Sequence, residues 1–305
     1  MSAQKRLDIS LLLCRLGAGL VFLIWAYDKL KIGFGGLKGR GTSQSIVSDY
    51  YYLDLPPVFF AVIGLLHLAL GAALLLGLFK RPVRGYVLAL CVVPFLLPNY
   101  WKGLYDGLFV VPHPTILFYS AAALCACAYA SFALRDYDNL ASLGPKKTAD
   151  FSDTEFRKRL GLSLFFCRLA VFIVFMVWVY SKIVWPDRGV ERMRNFWLMP
   201  SFPQWGVTAF AWAELVICFV FLFGFFKRWT AALFVFLGVM AVFTPRALTG
   251  MQQVFTGNSW HTILYYPGFC LLICAIVLYL LRDYDTRFTL NKKDKLKIEN
   301  SEAGS

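Results

Sequence analysis

The feature that most narrows the folds open to this chain is a set of eight apolar runs, each long enough to cross a bilayer as a helix. They fall at about 9–31, 58–79, 84–105, 113–134, 161–185, 205–226, 229–249 and 260–282. Roughly twenty apolar residues rising 1.5 Å each are needed to cover a hydrocarbon core about 30 Å thick. In lipid every backbone polar group must be satisfied inside the protein, so only helices and closed barrels cross. None of the runs alternates apolar and polar residues as a barrel strand does. The expectation is an all-α integral membrane protein with eight transmembrane helices. Composition agrees, with 59% hydrophobic and 16% charged residues, where a soluble domain carries about 25% charged.

The net charge of +13 raises nucleic acid as a partner, and the placement of the charges argues against it. With the N-terminus in the cytoplasm, the cytoplasmic segments hold most of the 31 Lys and Arg. Among them are Lys5, Arg6, Lys80, Arg81, Arg135, Lys227, Arg228 and, in the tail, Lys292, Lys293, Lys295 and Lys297. That bias follows the positive-inside rule and puts both termini in the cytoplasm, consistent with a bacterial cytoplasmic (inner) membrane. The basic excess then expresses topology and attraction to anionic membrane lipids, and no nucleic-acid partner is needed. Lys5 and Arg6 ahead of an apolar run resemble a signal peptide, but no small-residue cleavage site follows. "LLLC" (11–14) fails as a lipoprotein box because Leu13 stands where a small residue is wanted. An uncleaved first helix is expected.

The chain also repeats itself. "CRLGAGLVFLIWAYDKL" (14–30) returns as "CRLAVFIVFMVWVYSKI" (167–183), with Cys, Arg, Trp, Tyr and Lys at unchanged spacing. At an offset of 147, "LLLGLFKR" (74–81) matches "FLFGFFKR" (221–228), Pro98 matches Pro245, and "LRDYD" recurs at 134–138 and 281–285. Two four-helix units are expected, 1–140 and 160–290, joined by a cytoplasmic linker at 141–159 and followed by a basic, polar tail at 291–305. An even number of helices per unit makes both enter the membrane in the same sense. The repeats should then be parallel, related by a pseudo-twofold along the membrane normal.

The repeated arginines, Arg15 and Arg168, stand about two turns inside their apolar runs, roughly 10 Å from the cytoplasmic interface. Either each snorkels to the headgroups, or each faces the bundle interior and meets a buried partner, because an unpaired charge in lipid is costly. Glu214, near the middle of the sixth run, is the partner on offer for Arg168. A carboxylate in a bilayer must pair or hold a proton, which makes Glu214 the leading candidate for a protonatable group. In the first unit the equivalent position is His67. Two roles are open: a structural copy, which is preferred, or a proton-sharing pair of His67 with Glu214 across the pseudo-twofold.

Lys29 and Lys182 follow the arginines by fourteen residues, close to four helical turns, and so share a face with them. With Trp25, Tyr27, Trp178 and Tyr180 they read as an interfacial anchor, or as the lining of a pocket for an anionic or quinone-like headgroup. The eight cysteines lie within the apolar runs without a CxxC, so they read as small apolar packing residues. His67 is near the midplane while His113 and His261 are near the outer surface, so no histidine pair suits a haem. No cluster has metal-ligand spacing, and neither haem nor metal is expected. The loop "GFGGLKGRG" (33–41) lacks the strand and the GK[ST] ending of a phosphate loop.

An Arg-Leu early in the first helix, an aromatic-x-aromatic-x-Lys at its end, and a mid-helix Glu ahead of "GLFKR" or "GFFKR" resemble the DoxX family of small four-helix membrane proteins. The matching positions are Arg15, Lys29, Gly77 and Arg81 in the first half, and Arg168, Lys182, Glu214, Gly224 and Arg228 in the second. The chain is thus similar to a tandem DoxX protein, with His67 departing from the carboxylate. The resemblance implies membrane oxidoreductase systems, including subunits of thiosulfate:quinone oxidoreductase and the methylamine-utilisation MauE proteins. On that expectation the chain is a subunit of a quinone-linked oxidoreductase working beside other subunits. Glu214 and Arg168 would act on the proton, and Tyr180, Lys182, His67, Arg15 and Lys29 would line the quinone site. The alternative is a non-enzymatic scaffold, a maturation factor or a small-anion carrier.

Overall fold

The computed structural model describes residues 1–35, 54–92, 116–143, 146–197, 199, 201–242 and 265–290. Nine α-helices run through them: α1 (Ala3–Gly35), α2 (Pro57–Leu75), α3 (Lys80–Val92), α4 (Ile116–Ala133), α5 (Thr154–Val184), α6 (Pro186–Trp197), α7 (Gln204–Leu222), α8 (Lys227–Val242) and α9 (Tyr265–Leu280). Short 3₁₀ turns follow α4 at Arg135–Tyr137 and α9 at Arg282–Tyr284. Among the described residues there is no strand.

Helices α1, α2, α5 and α7 are each long and apolar enough to cross a membrane. The described parts of α4 and α9 are apolar but shorter. The expected runs at 84–105, 113–134, 229–249 and 260–282 extend into residues outside the described ones, as do His113, His261, Pro98, Pro245, the tail and most of the 33–41 loop. The first helix of each unit is longer than its apolar run. α1 has 33 residues and α5 has 31, or about 45–50 Å at 1.5 Å per residue, against the ~30 Å of a bilayer core.

Helix α6 was not among the eight runs. Pro186 at its first position and Asp187 in its first turn start it. It lies on α7 through Gly189, where a Cβ would come 2.4 Å from Val207. The start of α5 is fixed by Asp153, whose side chain accepts from the Glu155 amide at 3.0 Å.

Helices α1, α4, α5 and α9 form the centre. Within the units, α1 packs on α2 and α4, and α5 packs on α7 and α9. Between the units, α4 packs on α5, α9 packs on α1, and α4 meets α9. Contacts between halves therefore come in matched pairs, as expected when two copies of one sequence pattern bury the same faces. Small residues permit the close approach: Ala123, Ala126, Cys127 and Ala130 of α4, with Cys270, Cys274 and Ala275 of α9, are all buried. The outer helices leave Phe59, Val62, Leu65, Trp212, Val216 and Phe236 exposed, the side chains a bilayer would solvate.

The polar connection after α4 is docked on the bundle. Asn139 accepts from the Lys147 amide at 2.9 Å and donates to its carbonyl at 3.0 Å. The Ala149 amide donates to Gln4 at 2.9 Å. The Phe151 ring packs on Phe156 and Tyr284. Arg6 of the first unit pairs with Asp283 of the second at 2.8 Å.

Candidate functional site

Two buried charge sites occur on the α5–α7 pair, and each has a relative on α1–α2. The first is built from the end of the second helix. α2 closes with the Leu78 amide donating to the Ala73 carbonyl and the Gly77 amide to Leu74. α7 closes in the same way, Phe225 to Val220 and Gly224 to Phe221. This end pattern requires a left-handed residue, supplied by Gly77 (φ +65°) and Gly224 (φ +73°). Both glycines lie against the repeated arginine: a Cβ would stand 2.3 Å from Arg15 Nη1 at Gly77, and 3.1 Å from Arg168 Nη1 at Gly224.

The chain after the last helix of each unit folds back under this corner as a strap. Arg15 Nη1 lies 3.3 Å from Asp138 Oδ2, and its Nη2 donates to the carbonyls of Leu140 (2.9 Å) and Ala141 (3.0 Å). Arg168 Nη1 donates to Asp285 Oδ2 at 3.0 Å, and its Nη2 to the carbonyls of Arg287 (2.6 Å) and Phe288 (3.5 Å). Lys80 donates to the Asp138 carbonyl and Lys227 to that of Asp285. To present those carbonyls, Ala141 and Phe288 take positive φ of 49° and 53°, an uncommon conformation for residues with a Cβ.

The expected partnership of Arg168 with Glu214 is therefore corrected: Arg168 pairs with Asp285. Glu214 lies ten residues, about 15 Å, along α7 from the glycine that abuts Arg168. That gap exceeds what one side chain closes, while the strap reaches the guanidinium directly. Of the two alternatives for the arginines, the buried partner is the one observed: Arg15 and Arg168 are 0% and 1% exposed and hold a carboxylate and carbonyls.

The two aspartates differ in how many arginines they meet. Arg84 of α3 also pairs with Asp138 and donates to the Ser131 carbonyl at 2.9 Å. Its equivalent in the second unit is Ala231. A narrow crevice remains there, lined by Ala231, Thr230, Gly224, Lys227, Arg282 and Asp285.

The second site pairs Lys182 of α5 with Glu214 of α7. The carboxylate is 8% exposed and the ammonium 14%, and Lys182 Nζ stands 4.8 Å from the Phe210 ring centre, one turn before Glu214. The pair thus has an apolar, aromatic side and a polar contact. Tyr180, on the same helix, meets the Trp185 ring edge-on with centres 6.0 Å apart.

In the first unit Lys29 stands 5.6 Å from the Trp25 ring, and His67 packs edge-on to Phe22 at 5.2 Å and against Trp25 at 6.1 Å. Its Nδ1 has no hydrogen-bond partner among the described residues. His67 is thus held by α1 and Glu214 by α5, so each partners the first helix of its own unit. Sequence reasoning missed Asp138, Asp285 and Arg84. The repeated "LRDYD" carried the signal for the two aspartates, whereas nothing in the repeat pointed to Arg84.

These features define a helical membrane protein of two tandem units, in which a buried arginine on each first helix is clamped by chain that follows the last helix. The chain belongs to the DoxX family: the DoxX family model matches it twice, over residues 10–99 and 163–247. The two matches include Arg15, Lys29, His67 and Gly77, then Arg168, Lys182, Glu214 and Gly224, and both stop short of the aspartates of the straps. No curated protein and no solved structure matches the chain.

Proposed function

We propose that this DoxX protein is an integral-membrane subunit of a quinone-linked oxidoreductase system, with the Lys182–Glu214 pair as the place where a quinone headgroup is bound and a proton exchanged. The observation that carries the reading is that pair itself: a carboxylate and an ammonium in contact, nearly buried, beside the Phe210 ring. An uncharged quinone needs a hydrogen-bond donor for its carbonyls, a proton source on reduction, and an aromatic wall to pack on. Lys182, Glu214 and Phe210 offer these in one place. Arg168 and Arg15 hold the straps and take no part; Lys29 and His67 form a second, uncharged-partner version of the site.

The reading places eight helices in a bacterial inner membrane as parallel repeats about a pseudo-twofold, with both termini cytoplasmic. Electrons would come from partner subunits. The competing reading, a scaffold or maturation factor, is favoured by the commitment of both buried arginines to structure. Purification of the full chain in mild detergent, followed by organic extraction, separates the two. Co-purified quinone supports the proposal, and its absence together with a retained partner protein supports the scaffold.

A further inference from the structure

Five cysteines, Cys14, Cys127, Cys167, Cys270 and Cys274, are 0% exposed and converge where α4 and α9 cross between the two units. Cys127 and Cys274 are equivalent residues of the repeat, and their sulfurs lie 3.6 Å apart. Each thiol also reaches the facing helix's backbone: Cys127 Sγ is 3.7 Å from the Cys270 carbonyl, and Cys274 Sγ is 3.6 Å from that of Ala123. Those carbonyls lie one turn before the opposite cysteine, so the two contacts are reciprocal. A side chain as short as Cys touches the opposing backbone only where helices cross closely, as the alanines here allow. The second duplicated pair flanks the first, Cys14 beside Cys127 and Cys167 beside Cys274. All are free thiols.

We propose that Cys127 and Cys274 are a redox modification site, a dithiol that closes to a disulfide between the two repeats when a small peroxide enters the bundle. The sulfurs must approach to about 2.05 Å, a movement of the size that side-chain rotation supplies. One sulfur attacks hydrogen peroxide: an S–O bond forms, the O–O bond breaks, and water leaves, giving a sulfenic acid. The second sulfur attacks the first: the S–S bond forms, the S–O bond breaks, and a second water leaves. Two thiols and one peroxide become a disulfide and two waters, with two electrons passing from sulfur to oxygen. Burial selects the oxidant, because a small uncharged peroxide can reach a site closed to larger reagents. The product ties α4 to α9 and fixes one unit against the other, independently of what binds at Lys182 and Glu214.

The test uses the full chain in phosphatidylcholine vesicles, exposed to hydrogen peroxide, quenched with catalase, then denatured, alkylated, digested and analysed by mass spectrometry. The expected result is six alkylated cysteines out of eight and a joined peptide pair containing Cys127 and Cys274, two hydrogens lighter than the free peptides. Dithiothreitol restores all eight. Cys127→Ser should leave seven alkylated thiols and no joined pair. Eight alkylated cysteines after peroxide, a bridge within one unit such as Cys14 to Cys127, or oxidation stopping at sulfinic acid would each overturn the proposal. The wild-type digest decides this even where the serine variant does not fold.

Discussion

Arg168 and Asp285, 117 residues apart in the chain, lie 3.0 Å from each other in a buried corner beneath α7. The same relationship holds between Arg15 and Asp138 at 3.3 Å. A buried pair contributes little over an apolar isostere, yet losing one partner strands a charge at a cost of about 3–5 kcal/mol. Asp285→Ala should therefore lower the thermal midpoint of the detergent-solubilised protein sharply. Asp138→Ala should lower it further, because it strands both Arg15 and Arg84. Equal midpoints for the two variants would mean that Arg84 adds nothing.

The glycines at these corners should not tolerate a methyl group equally. Gly77→Ala adds a Cβ 2.3 Å from Arg15 Nη1 and 3.0 Å from the Ser142 Cα, on a residue at φ +65°. The nearest atoms to the Gly224→Ala methyl all belong to side chains, Thr289 Cγ2 at 2.6 Å, Thr289 Cβ at 2.9 Å and Arg168 Nη1 at 3.1 Å. The left-handed conformation alone costs about 1–2 kcal/mol. Denaturation should show Gly77→Ala losing that and more, and Gly224→Ala the smaller amount.

Strain in the straps gives a prediction of opposite sign. Ala141 is held at φ 49°, so Ala141→Gly should be neutral or stabilise by up to about 1 kcal/mol, as relief of the left-handed conformation offsets the entropy of the new glycine. Phe288→Gly should destabilise despite the same φ sign, because the Phe288 ring packs on Phe165 with centres 4.6 Å apart. Unfolding midpoints of the two variants measure the difference directly.

At the second site, chemistry and stability can be separated. Lys182→Met or Glu214→Gln alone removes the pair and leaves its partner in an apolar setting, so each should destabilise. Lys182→Met with Glu214→Leu should recover much of the stability, since an apolar pair of similar volume replaces a buried ion pair well. Quinone-linked activity in membranes should stay lost in the double variant. Recovery of activity with stability would make the pair a structural element.

The apolar runs and the repeat were legible in the sequence because length and spacing survive without knowledge of contacts. Both followed from counting: α1, α2, α5 and α7 from the length of apolar runs, and the doubling from fixed offsets. Partner choice was harder to read. The one carboxylate inside an apolar run is the natural match for Arg168, whereas the carboxylate it meets lies just beyond the last helix, in the repeated "LRDYD", whose recurrence marks the doubling without naming a partner. Glu214 was singled out correctly as buried, but its cation is Lys182, four turns from the arginine on the same helix. Arg84 was unreadable, since its role depends on how closely α3 approaches the end of α4.

On the proposed function Lys182 and Glu214 hold a quinone headgroup while the arginines hold the fold. The most direct test of that function is binding of a short-chain quinone to the purified full chain, followed by titration calorimetry in detergent. Saturable binding by the wild type is predicted, weakened at least about tenfold in Glu214→Gln, a loss of roughly 1.4 kcal/mol, and unchanged in Arg84→Leu. Equal affinity in Glu214→Gln, or no binding by the folded wild type, would contradict it.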